Sequence, residues 1–414
     1  MMLTPGADPA AVWWYAERYL GDGTRTYSRY ADDLEIDPRY HPQRGEDRFT
    51  LPTFQITPDR GSYLTSRTDS TLHQFYRDGD TFLLPVHPET LTVPGVKQCL
   101  AGCRPGPPVE VVPSANARTV FVLAIDGKPV PPHFLKLHYP KRLSRFTRRL
   151  RRPVIALQLW VSDQLMQIGA PLLPEVGGGV VYDGDDPDQA WGFLLREARP
   201  RPPVPAAAAT YLLPWFALYG GDVRYRSHPR LLEQLVDASG EPPHRWLIDR
   251  LIDPVVRLWV RVLLRTGCAI EPHGQNTLLG LTADLHTTWV VYRDCAVYVD
   301  PRIRTAAGLG GELPPRNVIG QDVAVPAGQV FSLVYDSFLG HHTLAYLARL
   351  AQQRWGLDPG ELQAAARHAF TTQVITEGGD PAALLPPTVY YYTDQLPDDG
   401  RWQLTDTGQP PQWR

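Results

Sequence analysis

The sequence contains few cysteines, and they are scattered. Cys99, Cys103, Cys268 and Cys295 are the four among 414 residues. Such cysteines do not form the framework of a disulfide-stabilised secreted domain, and the spacing of Cys99 and Cys103 is not that of a zinc knuckle. None of the 12 histidines stands in the paired motif of a metal hydrolase. We therefore expect a protein that keeps its cysteines reduced.

The sequence also lacks long apolar runs and a large excess of either positive or negative residues. No run reaches the roughly 18 apolar residues of a membrane-spanning helix, and the first nine residues lack the basic and apolar order of a signal peptide. The net charge is −3 and the pI is near 6.5, which gives no field that would attract nucleic acid or an anionic membrane. We expect a cytoplasmic protein without nucleic-acid or membrane partners.

The length of the chain, 414 residues, exceeds that of one simple core and predicts two or three substructures. Residues 1–105 show short helical patterns and loops. The clearest is an amphipathic helix over Ala10–Leu20, preceded by Asp8-Pro9 as a cap and first turn. A strand is predicted over Thr81–Val86, followed by His87-Pro88.

From Val109 onward the pattern changes to short β-like runs. Asp126-Gly127 between two of them is a strong hairpin signal, and this hairpin would bring Arg118 and Thr119 close to Lys136. A basic cluster follows at 141–152, which we interpret mostly as a solvated helix face, with a few arginines available to bind an anion. Further predictions are a helix over Pro153–Ile168, a flexible turn at Gly177–Gly179 and a strand over Trp191–Glu197.

The remainder, from about 210, is predicted to be mainly helical with a small sheet around one polar stretch. That stretch is Glu271-Pro272-His273-Gly274-Gln275-Asn276. It follows a helix predicted over Trp246–Leu264 and precedes an apolar run typical of a strand. Polar groups with this donor and acceptor capacity, set between two core elements, indicate either a ligand site or a fully hydrogen-bonded turn.

Several motifs in order resemble those of the NRPS-independent siderophore synthetases, the aerobactin-synthetase (IucA/IucC) family. Glu271–Leu279 followed by Arg293-Asp294 resembles the family's EAHGQN and RD signature. Pro113-Ser114-Ala115-Asn116-Ala117-Arg118-Thr119 resembles the serine-x-arginine-threonine motif of the family. Phe134–Leu137 resembles its lysine strand, with Arg148 twelve positions beyond Lys136, and Val86-His87-Pro88 resembles its His-Pro element. The resemblance covers about residues 80–370.

The resemblance implies an α+β fold with a cupped-hand arrangement of thumb, fingers and palm. The corresponding regions would be a reduced thumb over 1–105, β-rich fingers over 106–205 and a mainly helical palm over 206–414, since the chain is shorter than usual members before the first motifs. The implied activity is that of an ATP-dependent ligase. It converts a carboxylic acid into an acyl-adenylate and pyrophosphate, and then forms an amide or ester with an amine or hydroxyl substrate. A homodimer is also possible for this family.

The resemblance further implies roles for individual residues. Catalysis would depend on His273, Arg148 and Lys136. ATP would be bound by Asn116, Arg118, Thr119, Lys136, Arg148, His273, Gln275 and Asn276. Mg²⁺ would be held by Glu271, Asn276 and Asp294, and the carboxylate substrate by Ser144, Arg145 and His87. Positive charge around an attacked phosphate and a carboxylate suits this chemistry independently of the resemblance.

Some positions depart from the family pattern and leave the substrate open. Asn116 stands where the family has serine, Pro272 replaces a small residue, and Ser144-Arg145 replaces the Thr-Ser pair that holds citrate. The extra arginine would suit a different acid. Two other hypotheses remain: a ligase that acts on a carrier-bound or peptide substrate, and a non-catalytic binding protein derived from the family.

Overall fold

The structure is a computed structural model that describes residues 2–4, 6–24, 34–144, 146–202, 211–286, 288–393 and 403–414. The predicted substrate residue Arg145 lies outside these ranges. No helix in the described ranges is long and apolar enough to cross a membrane.

Most of the described strands lie in the first half of the chain. In chain order they are β1 (Leu20–Asp22), β2 (Phe49–Leu51), β3 (Thr53–Ile56), β4 (Gly61–Thr65), β5 (Arg77–Asp78), β6 (Thr81–Pro85), β7 (Arg104–Pro105), β8 (Val109–Pro113), β9 (Thr119–Ile125), β10 (Lys128–Leu137), β11 (Tyr139–Leu143), β12 (Phe146–Arg148), β13 (Glu175–Val181), β14 (Trp191–Glu197), β15 (Tyr211–Pro214), β16 (Gly221–Asp222), β17 (Cys268–Ala269), β18 (Thr277–Leu281), β19 (Thr288–Tyr292), β20 (Tyr298–Val299), β21 (Tyr390–Tyr392) and β22 (Leu404–Asp406).

Most of the described helices lie in the second half. They are α1 (Pro9–Tyr19), α2 (Pro94–Cys99), α3 (Arg152–Gln167), α4 (Trp215–Tyr219), α5 (Leu231–Ser239), α6 (Pro243–Leu247), α7 (Asp253–Thr266), α8 (Pro301–Ala306), α9 (Ala327–Ser332), α10 (Ala345–Trp355), α11 (Pro359–Thr376) and α12 (Pro381–Leu384). Two π-helical segments, Ile248–Ile252 and Leu333–Leu344, connect α6 to α7 and α9 to α10.

A seven-stranded antiparallel sheet with the order β2-β8-β9-β10-β14-β13-β4 dominates the first half. The predicted hairpin joins β9 to β10, and both turn residues have positive φ, 52° at Asp126 and 70° at Gly127. That backbone matches the twist of two adjacent strands. Lys136 consequently pairs with Thr119 across the sheet. The hairpin prediction is confirmed.

The prediction of a flexible turn at Gly177–Gly179 is wrong, because these glycines lie in the buried strand β13. A Cβ atom on Gly177 would overlap the His73 ring, and one on Gly179 would overlap the Phe82 ring. Gly178 has equally little space beside the carbonyl of Phe193. The glycines therefore serve close packing in the sheet rather than a turn.

The basic cluster at 141–152 does not form a helix face. Its first part is the hairpin of β11 and β12, and only Arg152 belongs to α3, which begins there with Pro153 in its first turn. Tyr139 and Leu143, at the two ends of β11, are buried, whereas the described arginines of the cluster are partly or fully exposed. The arginines therefore lie on the solvent side of a hairpin rather than of a helix.

The second half packs helices around a three-stranded sheet, β15-β18-β19. α7 is preceded by the Ile248–Ile252 segment and ends at Gly267, whose φ of 71° is the left-handed conformation expected at a helix end. One hydrophobic core joins these helices to α1, whose Asp8 side chain accepts a hydrogen bond from Ala10 N as predicted.

The predicted fold class is confirmed as a mixed fold with antiparallel sheets and a mainly helical second half. The expectation for residues 1–105 needs correction, because β2 and β4 from this part complete the seven-stranded sheet, and β3, β5, β6 and β7 form a second sheet. The boundaries at 105 and 205, and the division into thumb, fingers and palm, stay predictions.

Candidate active site

A cavity of about 540 Å³ lies where the large sheet, the β11–β12 hairpin and the helical half meet. Most of the predicted site residues line it, although they come from positions between 116 and 294. The predicted residues in its wall are Asn116, Arg118, Lys136, Ser144, Arg148, Glu271, His273, Gln275, Asn276 and Asp294. The structure thus brings together side chains that the sequence places far apart.

The loop before β9 is held in shape by Asn116. Its Oδ1 atom accepts hydrogen bonds from the backbone N–H groups of Arg118, at 3.0 Å, and of Thr119, at 2.9 Å. This local arrangement is typical of an asparagine turn, and it directs Arg118 into the cavity. Thr119 is buried in the sheet and does not line the cavity.

Lys136 is buried at the cavity wall and fixed by two oxygens. Its Nζ atom donates to Gln158 Oε1 at 2.5 Å and to Asp294 Oδ1 at 2.7 Å. Burial lowers the pKa of Lys136, and the charge of Asp294 opposes this shift. Burial would raise the pKa of Asp294, but the charges of Lys136 and Arg196 hold that pKa well below its usual range. The pair is therefore ionised, which leaves little net charge from it in the cavity.

Arg118 and Arg148 have no such compensation. Arg118 Nη1 donates to the backbone oxygen of Arg148 at 3.2 Å, and within the described ranges neither guanidinium lies in an ion pair. Burial, followed by the charge of Arg148, lowers the pKa of Arg118 to about 9. Two neighbouring arginines at a cavity, both without a carboxylate partner, form a site for an anion.

The polar stretch 271–276 forms a tight turn between β17 and β18. The carbonyl of His273 accepts from the backbone N–H groups of Asn276, at 2.9 Å, and Thr277, at 3.1 Å. His273 Nδ1 accepts from Gln275 N at 3.2 Å, which leaves Nε2 as the N–H donor of the neutral ring. Burial lowers the pKa of His273 to about 4, so the ring is a neutral hydrogen-bond donor near pH 7.

Gly274 is required at the centre of this turn because there is no space for a side chain. A Cβ atom would overlap the Tyr219 hydroxyl, and the Gly274 carbonyl accepts from Phe216 N at 3.1 Å. The close approach ties the turn to α4 and sets the position of His273 beside it.

Glu271 is the carboxylate of the cavity that lacks a cationic partner among the described residues. Burial and the nearby charge of Asp294 raise its pKa to about 8, and Arg148 opposes this shift only in part. With Asn276 and Asp294 it supplies the oxygen donors that Mg²⁺ prefers. No group of three histidine, cysteine or acidic side chains in the described ranges could hold a metal alone, so a bound ion would need oxygens from a ligand.

An aromatic wall, which no motif in the sequence predicts, completes the cavity. Phe338 and His342 come from the Leu333–Leu344 segment, and Tyr391 and Tyr392 from β21. The ring centres of His273 and Phe338 are 5.8 Å apart, and those of His342 and Tyr391 are 5.2 Å apart. Three successive tyrosines at 390–392 were the available signal, but nothing in the sequence places them near residue 273.

The predicted substrate residues are only partly at the cavity. Ser144 lines it from the β11–β12 turn, where its φ is 61°. His87 is fully buried between the rings of Tyr40, Phe49 and Tyr139 and is not part of the cavity wall. A contact between His87 and a carboxylate substrate stays a prediction.

Comparison with solved structures identifies the architecture. The chain superimposes on ATP-bound aerobactin synthetase IucA from a hypervirulent pathotype of Klebsiella pneumoniae with a TM-score of 0.66 and 15% identity, covering 97% of this chain and 78% of that one. The petrobactin biosynthesis protein AsbB from Bacillus anthracis strain Sterne gives 0.67 and 12%, over 92% and 70%. The chain has the fold of the aerobactin synthetases.

A further aerobactin synthetase, IucC from the same Klebsiella pathotype, gives a TM-score of 0.61 and 17% identity, over 91% of this chain and 71% of that one. No protein-family model matches the sequence, and no curated protein matches it. The resemblance that the short motifs indicated is therefore confirmed at the level of the fold, where whole-chain sequence comparison gives no match.

Proposed function

We propose that this protein is an ATP-dependent ligase that activates a carboxylic acid as an acyl-adenylate and condenses it with an amine or hydroxyl substrate, in the biosynthesis of a siderophore or a related specialised metabolite. The observation that carries the proposal is the pair Arg118 and Arg148, cations without carboxylate partners in a cavity that also contains Lys136 and His273. The fold that surrounds this cavity is shared with an ATP-bound synthetase.

In the first step a carboxylate oxygen attacks the α-phosphorus of ATP, and the bond from that phosphorus to the bridging oxygen of the β-phosphate breaks. Pyrophosphate leaves with the bond electrons. Both reactants are anions, so Arg118 and Arg148 lower the barrier by lying where the reactants' charges meet. Lys136, whose charge is balanced by Asp294, has one ammonium N–H left to donate to a phosphate oxygen. Nε2–H of His273 donates to the oxygen that gains charge, which a neutral histidine can do near pH 7.

In the second step the amine nitrogen or hydroxyl oxygen of the acceptor attacks the acyl carbon, AMP leaves, and the acceptor loses a proton. Gln275 and Asn276 contribute amide groups at the nucleotide, and Ser144 lines the cavity where it could contact the carboxylic acid. Arg145, the next residue, is proposed as a second contact to the acid from the sequence alone. Glu271, Asn276 and Asp294 would hold Mg²⁺, because all three line the same cavity and present side-chain oxygens to it. When bound, the ion would neutralise phosphate charge.

The proposal is tested by pyrophosphate release with hydroxylamine as the trapping nucleophile, across citrate, succinate, other dicarboxylates and amino acids. We expect a signal with one acid, and none with His273→Ala. Silence across the panel, from folded protein that binds ATP, would favour a carrier-bound or peptide substrate. Folded protein that binds no ATP would contradict the proposal and favour a non-catalytic binding role.

A further inference from the structure

Helix α1 carries a buried carboxylate, Glu17, that is 3% exposed and lies behind the cavity wall. Its Oε1 atom accepts from Trp13 Nε1 at 3.0 Å and from Arg293 Nη1 at 2.5 Å. Its Oε2 atom accepts from Arg293 Nη2 and from the backbone N–H of Ala115, both at 3.2 Å. Every partner is a donor, so the site is built for a carboxylate with two accepting oxygens.

Arg293 links Glu17 to the turn that contains His273. Its Nε atom donates to the carbonyl oxygen of Gln275 at 2.8 Å, and its backbone N–H donates to the carbonyl oxygen of Asn276 at 2.9 Å. The guanidinium is therefore engaged on both sides, and Arg293 does not line the cavity. The residue after it, Asp294, holds Lys136.

The other contact of Glu17 reaches the loop that carries Arg118. Ala115 precedes Asn116, whose side chain fixes the same loop from within. One carboxylate thus contacts the Arg118 loop directly and the His273 turn through Arg293. Both segments line the cavity and lie in different halves of the chain.

An ion pair that only stabilises the fold does not need to contact two segments of the cavity wall. Arg414 and Asp336, for example, form a buried pair whose carboxylate also accepts from Ser332, and that pair contacts neither loop. Glu17 differs because it binds the backbone of the Arg118 loop directly and the backbone of the His273 turn through Arg293.

We propose that Glu17 is a positioning residue that sets the spacing between Arg118 and His273. The inference rests on the proposed function and extends it to the N-terminal helix, which touches no reacting atom. Adenylation requires Arg118 and His273 to contact the same phosphate group at the same time. A small displacement of one of them should lower the rate of adenylation more than the affinity for ATP. In Glu17→Gln one accepting oxygen is replaced by an NH₂ group, which would face an N–H donor of Arg293, Trp13 or Ala115. The two donors repel each other, and we expect the Arg118 loop or the His273 turn to shift.

The test compares Glu17→Gln with Glu377→Gln. Glu377 is a matched control: its side chain is 7% exposed, and it accepts from Arg265 Nε and from Gln373 Nε2 away from the cavity. In folded Glu17→Gln we expect kcat for pyrophosphate release to fall by about 30-fold or more, with the Kd for ATP within about threefold of wild type. The control should change neither value by more than about twofold.

A normal kcat in folded Glu17→Gln, beside an active wild type, would overturn the positioning role and leave the proposed function intact. A wild type that neither binds ATP nor releases pyrophosphate would instead contradict the proposed function. If Glu17→Gln does not fold, hydrogen exchange of the wild type decides. ATP should then slow exchange in peptides from 13–19 as well as from 114–119 and 271–277, and unchanged exchange in 13–19 would overturn the proposal.

Discussion

Two sets of charged side chains in this protein differ in how they are compensated. In the large sheet, Arg196 and Glu175 form an ion pair at 2.6 Å with side chains 4% and 0% exposed, and Glu175 also accepts from Cys295 N. In the cavity, Arg118 and Arg148 are half-buried and have no ion pair within the described ranges. The charges of the first set are compensated by folding alone. Those of the second are left to water or a ligand, and this difference favours the cavity as the binding site.

A buried histidine in the sheet and one at the cavity can be compared in the same way. Burial lowers the pKa of His273 in the cavity, and equally of His133 in the sheet, to about 4. His133 is hydrogen-bonded to Tyr76 and to the carbonyl of Pro131, whereas His273 lines the cavity and accepts from Gln275 N through Nδ1. A lowered pKa therefore marks burial in both regions, and only access to the cavity distinguishes the candidate catalytic group.

The largest contrast should come from matched arginine substitutions in the two regions. Arg118→Gln should lower the rate of pyrophosphate release by about 100-fold or more, with an unchanged or higher melting temperature because repulsion from Arg148 is removed. Arg196→Gln should lower the free energy of unfolding by about 3–5 kcal/mol, since it leaves Glu175 buried and unpaired. If urea denaturation shows that Arg118→Gln and Arg196→Gln lower the free energy of unfolding equally, then the charge of Arg118 is compensated within the folded protein and not by a ligand.

His273→Ala should reduce adenylation by about 100-fold or more while the protein stays folded, because the donor to the developing charge is lost. The measurement is single-turnover pyrophosphate release at saturating ATP. His133→Ala is the comparison, and it should reduce stability rather than the rate constant of the folded fraction. Near-normal turnover in His273→Ala would remove His273 from the chemistry.

Stability should fall as the pH decreases from 6.5 toward 4. Burial lowers the pKa of His87 to about 4, so the unfolded chain takes up its proton first, and protonation favours unfolding throughout this window. His87→Phe should reduce the loss of unfolding free energy over this window by about 2 kcal/mol. The wild-type protein, measured over the same pH range, is the reference.

The same variant addresses the remaining role predicted for His87. The aromatic surroundings of His87 accept a phenyl ring, so we expect His87→Phe to keep its adenylation activity. Loss of activity with retained stability would show that this histidine acts on the substrate despite its position outside the cavity wall.

The smallest expected effect is at Ser144. Ser144→Gly removes the hydroxyl and keeps the backbone free to adopt its φ of 61°. We expect KM for the acid to rise by about three- to tenfold, the effect of one lost hydrogen bond to a charged group, with KM for ATP unchanged. Equal KM values for the acid in variant and wild type would show that the hydroxyl does not contact it.

Local sequence signals predicted much of the fold. The hairpin at Asp126-Gly127 and strand Trp191–Glu197 follow from turn chemistry and from apolar patterning, and both are found as predicted. The helix around 246–264 was found with different ends, because a π-helical segment separates α6 from α7. The glycines of β13 were misassigned because their role depends on His73 and Phe82, which pack against them from other elements.

The candidate site shows the same limit. Short motifs identified Arg118, Lys136 and His273, and the structure places all three at one cavity. Glu17 and Tyr391 belong to no recognisable motif. The partner of Glu17, Arg293, is 276 positions away in the sequence. Such contacts depend on tertiary packing, which local patterns do not encode.

The measurement that tests the account most directly is calorimetric titration of ATP into the wild-type protein and into Arg118→Gln. If the uncompensated cavity charges are the nucleotide site, the wild type binds ATP at one site and the variant binds it about tenfold or more weakly. Folded wild-type protein that binds no ATP, or equal binding by both proteins, would contradict the central claim.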